Sequence, residues 1–339
     1  MGVSPTVATG DTHDLAVALG PILRTASDDR LGSITWFRSR WQRGGAATGL
    51  STWRRADGRT IEVFVKLPVG YSEYFWTTQL GCVDERDWDA PCSLPVARVI
   101  AHGVEIGGYD LAWIITERLS GPPLAASLDH DGVADLLKTA ADFHAAAMKI
   151  SALEVCPVPP DWDAMILKSK MLARNGEIPD ALRWKYGLRR VLKNLPILKA
   201  KWRARPINTW CHGDLHAGNV MRRAPANDPG NNGSPCVLVD LALVHPGHWL
   251  EDAIYLERQH WGHADLLHGV KPLTELARLR RERRLPVDDH YPELANIRRV
   301  LMAACAPAVM EREGNPTYLH AALEIVERFM PQVVKESLT

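Results

Sequence analysis

Residues 210–220 read Trp-Cys-His-Gly-Asp-Leu-His-Ala-Gly-Asn-Val. Two imidazoles, a carboxylate and an amide lie close together, with glycines beside them. Three kinds of chemistry suit such a set: a metal site, a satisfied polar turn, or a catalytic loop. His212 and His216 are four apart, the spacing at which a helix turns two imidazoles to one face for zinc. Gly213 and Gly218 favour a loop instead, and no Glu follows His212 as the zinc-protease pattern requires. A buried polar turn would need several hydrogen-bond partners for Asp214 and Asn219.

The catalytic reading rests on spacing. His212-Gly-Asp214 followed by Asn219 is similar to the protein-kinase pattern H-R-D-x-x-x-x-N. There the Asp takes the substrate hydroxyl's proton and the Asn holds Mg²⁺. Such a loop calls for a second metal-binding Asp at the end of an apolar strand, and Cys236-Val-Leu-Val-Asp240 supplies one. The polar, turn-rich insert Arg222–Pro235 separates the two strands, where added length costs little.

His-Gly-Asp-x-x-x-x-Asn with a downstream strand-end Asp resembles the aminoglycoside phosphotransferase and choline kinase-like family. The family's onward spacing is kept from Asp240 to Gly247 and Asp252. Upstream, Lys66 in Val63-Phe-Val-Lys66 resembles the strand lysine that neutralises nucleotide phosphates, and Glu73 resembles its helix partner. Ile115-Thr-Glu117-Arg-Leu119-Ser-Gly121 resembles the hinge strand that contacts adenine through its backbone. Phe143-His144 resembles the Leu-His of the long helix beyond, so the likeness runs over about residues 33–257. It implies an α+β, two-lobed protein kinase-like fold, with a small antiparallel β-sheet N-lobe and a mostly helical C-lobe. It also implies ATP (or GTP) and Mg²⁺ as cofactors, Asp214 as catalytic base, and Asn219 and Asp240 as metal ligands.

The residues constrain these roles independently. An ammonium inside an apolar strand needs a partner, because burying it alone is costly. Glu73 is the favoured partner of Lys66, with Glu62 and Glu85 as alternatives. Gly44, Gly45 and Gly49 form a turn in which backbone N–H groups can approach phosphates, although their spacing departs from G-x-G-x-x-G. His212 braces the loop, His216 packs or approaches the γ-phosphate, and Asp252 tethers the loop or borders the acceptor pocket. His245, His248, His260, His263 and His268 are irregularly spaced and read as loop and helix-surface residues. Trp249, Trp261 and Tyr255 either line the acceptor site or belong to a helical core.

These groups need elements to hold them. A leading helix covers Asp14–Gly20, and alternating or apolar strands cover 34–41, 50–54, 61–67, 95–100 and 111–116. A short helix runs over 71–80. Gly121-Pro-Pro123 marks a break, and Val133–Ile150 has a strong amphipathic helical pattern. The expected division is 1–120, the N-terminal lobe with the sheet, lysine and phosphate elements, and 121–339, the helical lobe with the catalytic loop and acceptor site.

Composition narrows the partners. In 339 residues, Lys+Arg and Asp+Glu each number 40, so no global field favours nucleic acid or an anionic membrane. The basic run 278–284 reads as a solvated helix face. The N-terminal residues lack a signal-peptide pattern and no stretch has the apolar length of a membrane span, so a cytoplasmic location is expected. Six cysteines without a C-x-x-C pair suggest reduced thiols. The expected partner is a small-molecule hydroxyl acceptor resembling an aminoglycoside, sugar or amino alcohol; no protein partner is implied. The balanced charge beyond residue 245 weighs against a polycationic antibiotic, and tryptophans suit a choline-like cation. The rival reading is a nucleotide-binding pseudokinase or regulatory module without turnover. D-F-G and A-P-E markers of protein-substrate kinases are missing.

Overall fold

Period-two alternation in Thr60–Leu67 puts Val63, Val65 and Leu67 on one face and Glu62, Phe64 and Lys66 on the other. In the computed structural model this segment is a strand at the centre of a five-stranded sheet. The structure describes residues 11–37, 46–88, 93–153, 160–223, 236–309 and 315–335; Gly44 and Gly45 lie outside them. The chain forms two compact units. The first comprises 1–124 and 218–244, the second 125–217 and 245–339.

The sheet of the first unit is antiparallel throughout, in the order β1-β2-β3-β5-β4. Its strands are β1 (Thr35–Phe37), β2 (Ala47–Arg54), β3 (Thr60–Leu67), β4 (Val99–Gly103) and β5 (Trp113–Glu117). Asp57-Gly58 turns β2 into β3, with Gly58 at a φ of +86° that glycine adopts without steric cost. Helix α1 (Asp11–Ala26) contributes Ala16, Leu19 and Leu23 to the core formed with Val63, Val65 and Leu67.

Helix α2 (Tyr71–Gly81) follows β3 and ends against the chain leading into β4. A Cβ at Gly81 would meet the Ala97 carbonyl oxygen at 2.4 Å and Val99 Cγ2 at 3.0 Å, so only glycine permits this approach. The strand expected over 95–100 begins at Val99 instead. Pro95 has no N–H for a ladder, and its carbonyl accepts from Leu238 N at 2.8 Å. With the Val96–Leu238 bridge, this pairing groups β7 (Val220–Arg222) and β8 (Cys236–Leu238) with the sheet unit.

The second unit is helical. Helix α3 (His130–Ile150) is capped by Asp129, whose carboxylate accepts from Gly132 N at 2.7 Å. Its inner face, Leu136, Leu137, Ala140, Phe143 and Ala147, is fully buried. The remaining elements are α4 (Trp162–Asn175), α5 (Ala181–Arg203), β6 (Thr209–Cys211), β9 (His245–Gly247), α6 (Leu250–Gln259), α7 (Pro272–Glu282), α8 (Tyr291–Cys305) and α9 (Pro316–Lys335). Strand β6 pairs antiparallel with β9, which brings the residue before His212 beside His245. No helix among the described residues is long and apolar enough to cross a membrane.

The close approach at Gly81 gives a test of how α2 is seated. Gly81→Ala forces the helix end off Ala97, costing about 1–3 kcal/mol in urea unfolding.

Candidate active site

In the first unit, β3 carries Lys66 on the face opposite its core residues, between Thr48 and Ile114 of the neighbouring strands. Its ammonium is ion-paired with Glu73 on the first turn of α2 and lies 3.7 Å from Asp240 Oδ1. Glu62 and Glu85, the alternatives, pair with Arg118 and Arg30. Burial pushes the Glu73 carboxyl up from its ordinary value; Lys66 pulls it down by less. Ser72, beside Glu73, donates to the carbonyls of Leu241 at 3.3 Å and Val244 at 3.5 Å. One helix turn thus grips the lysine partner and the turn behind Asp240.

The β7–β8 ladder ends with Val220 opposite Leu238, and Val239 N donates to the Asn219 carbonyl at 2.9 Å. Asn219 and Asp240 therefore stand at the same end of one hairpin. The apolar strand expected to end in Asp240 stops at Leu238, because Asp240 has a φ of +62° and leaves the ladder. Asp tolerates this left-handed conformation better than most residues. The pair offers only hard oxygen donors, and the Asp240 side chain is 50% exposed, leaving room for the waters that Mg²⁺ retains. The donor set fits that ion.

At the end of β5, the Glu117 carboxylate is ion-paired with Arg223 and accepts from Arg98 N at 2.7 Å. Glu117 N is spent on the Arg98 carbonyl at 2.9 Å. The Leu119 N–H has no hydrogen-bond partner among the described residues. Of these two backbone N–H groups, that of Glu117 is committed within the unit and that of Leu119 is not, among the described residues.

In the second unit, β6 runs into the 212–216 loop. Gly213 has a φ of +83°, where a side chain would strain the turn. His212 is fully buried, with its ring edge-on to Phe143, and its Nδ1 accepts from Asp214 N at 3.3 Å. His216 Nε2 stands 3.6 Å from Asp214 Oδ2. The Tyr255 hydroxyl, on α6, donates to Asp214 Oδ1 at 2.5 Å. The nearby His216 imidazole is the largest influence lowering the Asp214 carboxyl, with Tyr255 next, and the carboxyl falls to about 2 despite partial burial. Asp214 is therefore an anion at neutral pH.

Asp252 fixes the loop's backbone. Its Oδ2 accepts from His212 N at 2.8 Å and its Oδ1 from Gly213 N at 2.9 Å. His144 Nε2 donates to Oδ2 at 2.9 Å, while Arg280 donates to His144 Nδ1 at 3.0 Å, which sets the neutral Nε2–H tautomer. Burial pushes Asp252 up, but His144, His212 and the backbone donors outweigh it and hold the carboxyl low. Burial pushes His144 down.

Arg280 is a correction to the solvated-face reading of 278–284. Arg278 is exposed and paired with Glu275 and Glu282, whereas Arg280 is fully buried. Arg280 occupies the same helix face as Leu273, Leu276 and Ala277, a stripe that could have located it. His248 is likewise not a surface residue: it is buried and paired with Asp288 at 2.8 Å. Trp249 and Trp261 are buried in the helical core, while Tyr255 is at Asp214. Cys211, His245 and Glu251 place ligand atoms within 4.8 Å of one another. Glu251 is already compensated by Arg205 at 3.0 Å and Arg298 at 3.6 Å, so a dication there would face two guanidiniums.

A family model described as "Phosphotransferase enzyme family" matches residues 51–273. Among solved structures, a protein of Ralstonia eutropha JMP134 assigned as an aminoglycoside phosphotransferase aligns over 93% of this chain and 98% of its own. Its TM-score is 0.53 at 15% identity. A spectinomycin phosphotransferase, solved with ADP and spectinomycin, aligns over 96% and 99% with a TM-score of 0.51 at 12% identity. These likenesses show the kinase-like fold. A sequence search of curated proteins gave no match.

Asp252→Asn removes an acceptor from a buried set of donors and is expected to cost about 3–5 kcal/mol in chemical denaturation. Because the folded carboxyl is held low, its contribution is complete above an unfolded pKa of about 3.9 and lost as pH falls through the folded value. The variant should therefore show a shallower loss of stability on acidification.

Proposed function

The chain belongs to the phosphotransferase enzyme family, and on that footing we propose that it transfers the γ-phosphoryl group of ATP to a hydroxyl of a small molecule. The acceptor class is aminoglycoside-, sugar- or amino-alcohol-like. The observation that carries this reading is the Lys66 ammonium held against Glu73 with Asp240 at 3.7 Å.

Phosphoryl transfer passes through a loose transition state, so positioning and charge neutralisation matter more than base strength. Asp214, ionised and held low, orients the acceptor hydroxyl and takes its proton as the new O–P bond forms and the bond from the γ-phosphorus to the β–γ bridging oxygen breaks, releasing ADP. Lys66 neutralises nucleotide phosphate oxygens, and Glu73 keeps the ammonium in place. Asn219 and Asp240 hold Mg²⁺ by oxygen. When bound, that ion supplies the positive charge that the triphosphate needs, since one ammonium against two carboxylates leaves the group itself net negative. The Leu119 N–H is left to meet the nucleotide base, and the ADP of the spectinomycin phosphotransferase is the precedent for the nucleotide.

A coupled ADP-release screen over aminoglycosides, sugars, choline analogues and nucleosides tests the proposal. Turnover on at least one hydroxyl is expected, with Asp214→Ala and Asp240→Ala lowering kcat by about 10²–10⁴-fold and leaving circular dichroism unchanged. Undiminished turnover by Asp214→Ala removes the base; MgATP binding without turnover on the whole panel favours a regulatory module. Lys66→Met should raise the nucleotide KM more than the acceptor KM.

A further inference from the structure

Tyr255 is the residue at the Asp214 carboxylate that neither the sequence motif nor the family spacing singles out. Its hydroxyl donates to Oδ1 at 2.5 Å, while Oδ2 faces His216 Nε2 at 3.6 Å. We propose that Tyr255 is a positioning residue for phosphoryl transfer: it fixes Oδ1 and so turns Oδ2 to the acceptor hydroxyl. This rests on Asp214 being the base.

The placement follows from one helix. Asp252 and Tyr255 are three apart on α6, so they project from the same face. Asp252 takes the backbone N–H groups of His212 and Gly213, and Tyr255 takes the side chain of Asp214. Two side chains one turn apart thus hold three consecutive loop residues, two by the main chain and the third by its carboxylate. The helix itself cannot drift, because Leu250, Ala253, Ile254 and Leu256 are fully buried. With its backbone anchored and Oδ1 bonded to Tyr255, the Asp214 carboxylate has little torsional freedom. A base set to 1 Å is worth about 10²-fold in rate.

The phenol is suited to a permanent donor role. Burial, then the bond to Asp214, pushes its ionisation well above the ordinary tyrosine value, so it stays protonated across any working pH. Arg258 and Gln259 act in the opposite sense and are outweighed. The Arg258 guanidinium lies 5.8 Å from the Tyr255 ring centroid and donates to the Tyr318 hydroxyl at 3.0 Å. On the carboxylate itself the facing titratable groups are His216 and His212 from the loop and Tyr255 from α6.

Tyr255→Phe keeps the ring and its packing and deletes only the donor. On an acceptor identified by the screen, kcat should fall about 10–100-fold, with the KM of both substrates within about twofold of wild type. Losing a donor to the carboxylate raises the Asp214 pKa, so the acid limb of kcat/KM should move to higher pH than in wild type. Unchanged thermal melting would separate this from unfolding. A variant with wild-type kcat and acid limb overturns the assignment, leaving the phenol a packing group. A higher kcat/KM also overturns it, since the phenol would then compete with the acceptor. Asp214→Ala in the same assay keeps the two ideas apart. If it retains turnover, the base itself is wrong; if it is dead while Tyr255→Phe is silent, only the positioning role falls.

Discussion

A single buried carboxylate, Asp252, sets the terms for the loop at 212–216. A charge taken fully out of water must be compensated on every side, or it costs several kcal/mol. Here the compensation comes from the two backbone N–H groups it orders and from His144, itself fixed by Arg280. The demand for compensation is what shapes the loop: with the His212 and Gly213 amides committed, Gly213 adopts its positive φ and Asp214 emerges in one direction. The far partners on α3 and α7 are thereby tied to the loop although neither helix contributes a reacting group.

The first unit follows the opposite electrostatic logic. Lys66, Glu73 and Asp240 are left incompletely balanced, with two carboxylates to one ammonium and Asp240 half exposed. A structural cluster of this kind would normally be neutral and closed. In the proposed function, a cation and the nucleotide's phosphates together complete this open cluster, and Asp240 reaches it by leaving its ladder at a left-handed φ of +62°.

Much of this was legible because phosphoryl chemistry imposes spacing. Asp214, Asn219 and Asp240 stand at intervals set by one loop and one hairpin, and Lys66 interrupts an apolar alternation that reveals both the strand and the oddity of its charge. The sheet was legible for a separate reason, the period-two alternation of its strands. What escaped were contacts made by helices whose composition hides their orientation. Arg280 lies in a run of arginines that reads as solvent-facing, and only its register with Leu273, Leu276 and Ala277 turns it inward. Tyr255 was visible as an aromatic near the site, but its bond to Asp214 depends on how α6 lies against the loop, which no local pattern encodes. The start of β4 escaped because Pro95 is paired with a strand more than a hundred residues later.

That distant pairing bears on how the protein is made. The sheet unit is discontinuous: Pro95 and Val96 meet Leu238 only after the intervening helices have been synthesised. A ribosome-bound chain that has emerged only to residue 124 lacks its last hairpin, so Pro95 and Val96 still await their pairing with Leu238. Maturation must wait for residue 238, and a fragment cut at the apparent lobe boundary would be an incomplete fold rather than a minimal domain.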